Sequence, residues 1–193
     1  MLNMDYSPGL RGVVAGETEI STVGMEGTSL RYRGYDAIEL TSSHTYSDVA
    51  SLIIDDKLDG SSYKKSFASH YMSLLEDSEL IELINRLKSQ QHPMDVLRTA
   101  ISYIGEADES NKLDAASKVT AIACLTIASY NKEPSDKLDQ DFVVASSLLP
   151  NTSSLQQLEA LDDMLILYAE HGFNASTFAA RVTASTRSDL TSA

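Results

Sequence analysis

The segment Leu113–Tyr130 limits the possible folds of this chain more than any other. Its centre, Val119–Ala128, is apolar on every side and built largely from small side chains. A helix with no polar face is buried against neighbours on most sides. Small side chains let helix backbones approach closely, as in a bundle or at the core of a dimer. The apolar run falls short of the ~18 consecutive residues of a membrane span. The expectation is a helical, water-soluble body organised around this segment.

The flanking sequence agrees. From Thr45 onward apolar residues recur at helical spacing: Tyr46, Val49, Leu52 and Ile53, with Ser47 and Asp48 where a cap and first turn belong. Gly60 ends that stretch. A second helix is predicted from about Ser62 to Leu75, with Tyr63, Phe67, Tyr71 and Leu74 on one side, and a third from Ser78 to Lys88. Pro93 suits the first position of a helix running from Met94 to Ile104, and Gly105 suits its exit. A polar loop, Glu106–Lys112, leads into the central segment. Asp141–Leu149 reads as a short helix, and Leu155 to about Leu190 as one or two more. With no stop signal ahead of Ala193, the last of these reads as an interrupted helix.

The first 35 residues differ in kind. Six of the nine glycines fall there, between short β-favouring pieces at Val13-Val14, Thr18–Val23 and Ser29–Arg33. Met25–Thr28 reads as a turn and Gly34 as part of a loop. Strands this small cannot stand alone and must lie on a larger unit. Residues 1–35 are therefore expected to form N-terminal strands and loops, and residues 36–193 a continuous helical domain.

Charge and cysteine content exclude several functions. Acidic residues outnumber basic ones by 28 to 15, a net charge of −13. Neither nucleic acid nor an anionic membrane is an expected partner, because both require basic surface. The single cysteine, Cys124, precludes an internal disulfide and a thiolate zinc site. The N-terminus shows neither a basic nor an apolar signal region, so a reducing, cytoplasmic setting is expected.

Titratable residues give little local signal. His44, His70, His92 and His171 stand in no metal-ligand spacing, so no metal is expected. His44 and His70 read as surface residues and His92 as a cap or loop residue. The pairs Asp55-Asp56 and Asp162-Asp163 read as solvated faces. No phosphate loop and no nucleophile elbow is present. His171 is the exception. It follows the apolar run Met164–Ala169, adjoins Glu170, and precedes Gly172 and Asn174. An imidazole among polar, conformationally permissive residues is a candidate hydrogen-bond donor to a substrate, although a satisfied core histidine is the commoner outcome.

Four stretches resemble the citrate synthase family, its 2-methylcitrate synthase branch included. They are Gly9–Val14 with Thr18–Ser21; Leu30–Asp36 with Ser47–Ala50 through Leu58; His92–Ala100; and, longest and most specific, Leu165–Val182, which contains Ala169-Glu170-His171-Gly172-Phe173-Asn174-Ala175-Ser176-Thr177.

The resemblance implies a mainly α fold: the helical bundle of the family's large domain with a small N-terminal β-hairpin element, the small domain being absent. It implies an acyltransferase that condenses oxaloacetate with acetyl-CoA, or propionyl-CoA, to citrate or 2-methylcitrate. Acyl-CoA would be a substrate, with no resident cofactor, and the assembly a homodimer. By the same resemblance His171 hydrogen-bonds oxaloacetate with Asn174 beside it, at the edge of a concave polar surface. The family's catalytic histidine and aspartate have no counterpart among these residues, so no catalytic residue is assigned here and the chain alone is expected to be inactive. The resemblance also admits a truncated, non-catalytic paralogue acting as a dimerising partner, or one half of a split synthase.

Overall fold

The structure, a computed structural model, describes residues 14, 16–24, 29–105, 110–131 and 133–193. Val13 of the expected strand at Val13-Val14, most of the stretch Gly9–Val14, the turn at Met25–Thr28 and much of the loop after Gly105 lie outside them; Val14 itself is exposed and in no strand.

Three two-residue strands, β1 (Ser21–Thr22), β2 (Arg31–Tyr32) and β3 (Tyr35–Asp36), form an antiparallel sheet in sequence order. Arg33, expected at the end of a strand, and Gly34, expected in a loop, together make the tight turn of the β2–β3 hairpin. Both residues take positive φ, 44° and 90°, the twist that two-residue hairpin turns require. The Arg33 guanidinium then reaches the end of the second helix, donating to the carbonyls of Leu52 and Ile53 at 2.9 and 3.0 Å. There it caps the end of the helix, adding to the Asp56 N–H that the Leu52 carbonyl already accepts at 3.0 Å.

Among the described residues nine helices follow: α1 (Ala37–Thr41), α2 (Tyr46–Asp55), α3 (Ser61–Leu75), α4 (Ser78–Leu87), α5 (Pro93–Tyr103), α6 (Lys112–Asn131), α7 (Val143–Leu148), α8 (Leu155–Leu167) and α9 (Ala175–Ser185). The starts carry the chemistry that helix ends need. Asp36 caps α1, Asp77 caps α4, and His92 accepts the Met94 N–H at 3.2 Å with Pro93 at the first position of α5. Gly105 leaves α5 at φ 64°.

The central segment is α6. It packs against α3, α5 and α7, and buries Ala121, Ile122, Cys124, Leu125 and Ala128. Across from it, α3 lays Tyr63, Phe67 and Tyr71 in a column at i, i+4 and i+8. Their rings stack with centroids 6.5 and 5.8 Å apart, and Tyr46 meets Tyr63 edge-on. A second cluster, Tyr32, Ala37, Leu40, Val49, Leu52 and Ile166, fastens the sheet and α1 to α2 and α8.

Gly60 is needed for space. A Cβ there would fall 2.6 Å from both the Asp48 nitrogen and the Ser47 carbonyl carbon, so the start of α3 can rest on the start of α2 only without a side chain. Asp48 completes this corner by accepting the Thr45 N–H at 2.8 Å and the Gly60 N–H at 2.7 Å.

The last helix stops earlier than expected. α9 ends at Ser185, Arg187 turns left-handed at φ 66°, and the Asp189 carboxylate gathers the Thr191 and Ser192 N–H groups at 3.0 Å each. A short side chain that binds backbone just ahead of it favours a turn over continued helix. α9 also buries none of its residues.

Candidate functional site

The turn between α8 and α9 carries both residues singled out by sequence. After α8 ends at Leu167, the chain runs Tyr168 to Phe173 and re-enters helix at Ala175. Two consecutive residues, Gly172 and Phe173, are left-handed, at φ 75° and 41°. Glycine takes this conformation freely, whereas for a bulky side chain it is uncommon.

The Glu170 carboxylate stands at the centre of the turn. Its Oε1 accepts the N–H of His171 at 2.9 Å, the N–H of Gly172 at 2.8 Å and the Asn174 Nδ2 at 3.3 Å. Its Oε2 accepts the Thr177 hydroxyl at 2.9 Å. Asn174 caps α9, its Oδ1 accepting the Thr177 N–H at 2.9 Å. His171 is exposed, and among the described residues its imidazole enters no hydrogen bond. Tyr168, at the start of the turn, is 89 % exposed. Phe173 has the Arg181 guanidinium over its ring at 4.7 Å and packs against Gly16, where an added Cβ would lie 3.3 Å from the ring.

Concavities lie elsewhere. One, of about 840 Å³, runs between α6 and the segment after α9, lined in part by Lys112, Ala116 and Arg187. Another, of about 440 Å³, is bordered by His44, Asp48, Glu159, Asp162 and Asp163. A groove of about 210 Å³ between α5 and α6 is lined by Pro93, Met94, Leu97, Ile127 and Tyr130. None of these includes His171 or Asn174.

The remaining titratable residues divide differently from expectation. His92 is an exposed cap. Asp55 and Asp56 are exposed, with Asp56 3.6 Å from Arg33. His44 is half-buried, its Nδ1 2.8 Å from the Ser43 hydroxyl. His70 is half-buried too, because α3 turns it onto Asp114 of α6 at 3.0 Å. Ser66 also bonds Asp114 and lies 2.7 Å from Ser117. The Ser66 hydroxyl, and then His70, holds the Asp114 carboxyl below its ordinary range. This is no nucleophile–base pair: the serine bonds the carboxylate rather than the imidazole, the reverse of the order a catalytic triad needs.

Asp162 is the clearest correction. It is 3 % exposed and accepts the Tyr46 N–H at 2.7 Å. Burial pushes its carboxyl up to about 6 against the pull of that N–H. Adjacent helix positions point apart, so Asp163 stays half-exposed while Asp162 turns inward. Among the described residues no group of three or more histidine, cysteine or acidic side chains is placed to hold a metal ion, and no helix is long and apolar enough to cross a membrane.

Comparison with known proteins decides the family. Residues 9–193 match the family model described as citrate synthase, C-terminal domain. The chain belongs to the citrate synthase family. It is 35 % identical to a 2-methylcitrate synthase of Shewanella oneidensis over 196 residues, covering 94 % of this chain and 52 % of that protein. With a citrate/2-methylcitrate synthase of Bacillus subtilis it shares 36 % over 202 residues, covering 96 % and 54 %. The citrate synthase of Pyrobaculum aerophilum superposes with a TM-score of 0.78 at 28 % identity, covering 96 % of this chain and 52 % of that one. That of Thermoplasma acidophilum, solved as a ternary complex with carboxymethyl coenzyme A and oxaloacetate, superposes at 0.82 with 20 % identity, a likeness of fold. The chain thus spans about half the length of the curated relatives it matches. The mainly helical architecture with a small N-terminal sheet is that of the citrate synthase structures.

Sequence reasoning named His171 and Asn174 but passed over Glu170 as a neighbour. The available signal was an acidic side chain directly before His-Gly and four residues before a helix cap, where several N–H groups converge.

Proposed function

We propose that these residues form the oxaloacetate-side half of a citrate synthase-type acyltransferase, which condenses oxaloacetate with acetyl-CoA or propionyl-CoA to citrate or 2-methylcitrate. The observation that carries this reading is the free, exposed imidazole of His171 on a turn built around Glu170. As a carbon nucleophile adds to the keto carbon, negative charge develops on the carbonyl oxygen, and a positioned donor favours that charge. His171 is the donor. Asn174 is the second contact: one hydrogen of its amide nitrogen is directed at Glu170 and the other is available to substrate.

The condensation also needs a base to remove the proton alpha to the thioester and a group to stabilise the enolate. Neither His171 nor Asn174 supplies these, and the family resemblance assigns them to the half of the fold not spanned here. Acyl-CoA enters as a substrate and no resident cofactor takes part; the single, buried cysteine fits a reducing, cytoplasmic setting.

The experiment is direct. The 193-residue chain, given oxaloacetate and acetyl-CoA or propionyl-CoA, should release no CoA above a blank in a thiol assay. Adding a separately expressed complementary half should restore release, and His171→Ala should then weaken oxaloacetate use by about 1.5–3 kcal/mol, one hydrogen bond to a charged ligand. Unchanged oxaloacetate dependence in that variant would overturn the assignment of His171.

A second reading, a dimerising partner without catalysis of its own, is favoured by the α5–α6 groove. Met94 is 62 % exposed and Ile127 43 %. In either reading the assembly is a homodimer about a two-fold axis.

A further inference from the structure

We propose that Glu170 is the positioning residue of this site: its carboxylate sets the backbone from which the His171 imidazole projects. The inference rests on the reading of His171 as the oxaloacetate donor and adds a residue to it. Oε1 draws the successive N–H groups of His171 and Gly172 onto one point, at 2.9 and 2.8 Å. Convergent backbone N–H groups of this kind form a concavity suited to an anion, and here the anion is the chain's own. Oε2 reaches forward to Thr177 in the first turn of α9 at 2.9 Å, so a single side chain ties the exit of α8 to the entrance of the next helix.

The turn needs such a tie because it contains the left-handed Phe173, a conformation that persists only where the surroundings over-determine it. The other face of the turn is also held. Gly16 and Arg181 bracket the Phe173 ring, and Ser21 lies where a Cβ on Gly172 would be 3.5 Å from its hydroxyl. Both carboxylate oxygens are used inside the turn, and an anionic keto acid would be repelled by a third role for them. Glu170 therefore acts through His171 and is neither a base nor a substrate contact.

The test uses the full chain with Glu170→Ala and Glu170→Gln. Amide hydrogen exchange at His171 and Gly172 should quicken at least tenfold in the alanine variant and less in the glutamine variant, whose amide oxygen still accepts. Exchange at Leu125 in α6 should not change. The χ1 couplings of His171 should move toward rotamer-averaged values in the same order. Oxaloacetate titrated against the His171 ring signals should bind at least tenfold more weakly in the alanine variant, with partial rescue by glutamine. Unaltered exchange and couplings in Glu170→Ala, or wild-type affinity in that variant, overturn the proposal. Absence of any oxaloacetate effect on the wild-type ring signals overturns the functional reading instead, and the exchange and couplings then decide the role of Glu170. Should the alanine variant fail to fold, Thr177→Val, which removes the Oε2 partner, should give a smaller shift in the same direction, and no shift would count against the proposal.

Discussion

The Tyr32 hydroxyl donates to the carbonyl of Ile166 at 2.7 Å, across 134 positions of sequence. Both residues are fully buried, so this bond joins the N-terminal sheet to α8 one turn before the site. Tyr32→Phe keeps the ring and removes this one bond, while the Ile166 carbonyl still accepts the Ala169 N–H at 3.2 Å. Urea unfolding should show a loss of about 0.5–1.5 kcal/mol. A change under a few tenths would mean that the sheet is held by apolar packing alone.

Gly60→Ala should be among the most damaging single-methyl additions in the chain. The added carbon meets backbone of α2 at 2.6 Å, and backbone cannot rotate away as a side-chain tip can. The expected cost is about 1–3 kcal/mol or more, read as a lower midpoint at an unchanged urea slope.

Asp162 predicts a pH signature. Burial pushes its folded carboxyl up to about 6, above the ordinary 3.8, so between these values the folded state holds more proton than the unfolded one. Its ionisation therefore lowers stability as pH rises from about 4 to about 6, by something on the order of 2–3 kcal/mol in full. Asp162→Asn can still accept the Tyr46 N–H without a charge to bury. The variant should be more stable than wild type at pH 7 and nearly equal to it at pH 4. A difference independent of pH would remove the buried charge as its cause.

Ile127→Asp tests association apart from folding. Leu125, two residues away, is fully buried in the core, and a charge there would unfold the chain whatever its assembly. Ile127 is part of the exposed α5–α6 groove. Sedimentation should shift from dimer to monomer while the far-ultraviolet spectrum and melting stay put. A wild type that sediments as a monomer would remove the dimer.

Period and punctuation made most of the helices legible. The spacing of Tyr63, Phe67 and Tyr71, Pro93 at the start of α5, and the apolar run of α6 all predict what the structure contains. Less legible was whatever depends on partners distant in sequence. Nothing local marks Asp162 as buried, because the Tyr46 N–H that receives it lies 116 positions away. The β2–β3 turn is hard to read because Arg33 lacks the asparagine or aspartate character usual for positive φ, and its guanidinium is satisfied on α2. At the site, Leu165–Val182 marked where to look, whereas the role of Glu170 appears only once the turn brings four donors to it.

Cys124 lies at the centre of α6, fully enclosed, with burial pushing its thiol up to about 12. Only the thiolate reacts with disulfide reagents. The folded protein is thus chemically silent in the colorimetric assay that would detect released CoA, and the background in that measurement comes from molecules that have opened. The same silence makes the lone sulfur a clock. The slow capture of Cys124 by excess reagent reports how often the whole bundle comes apart, with no label added to the protein.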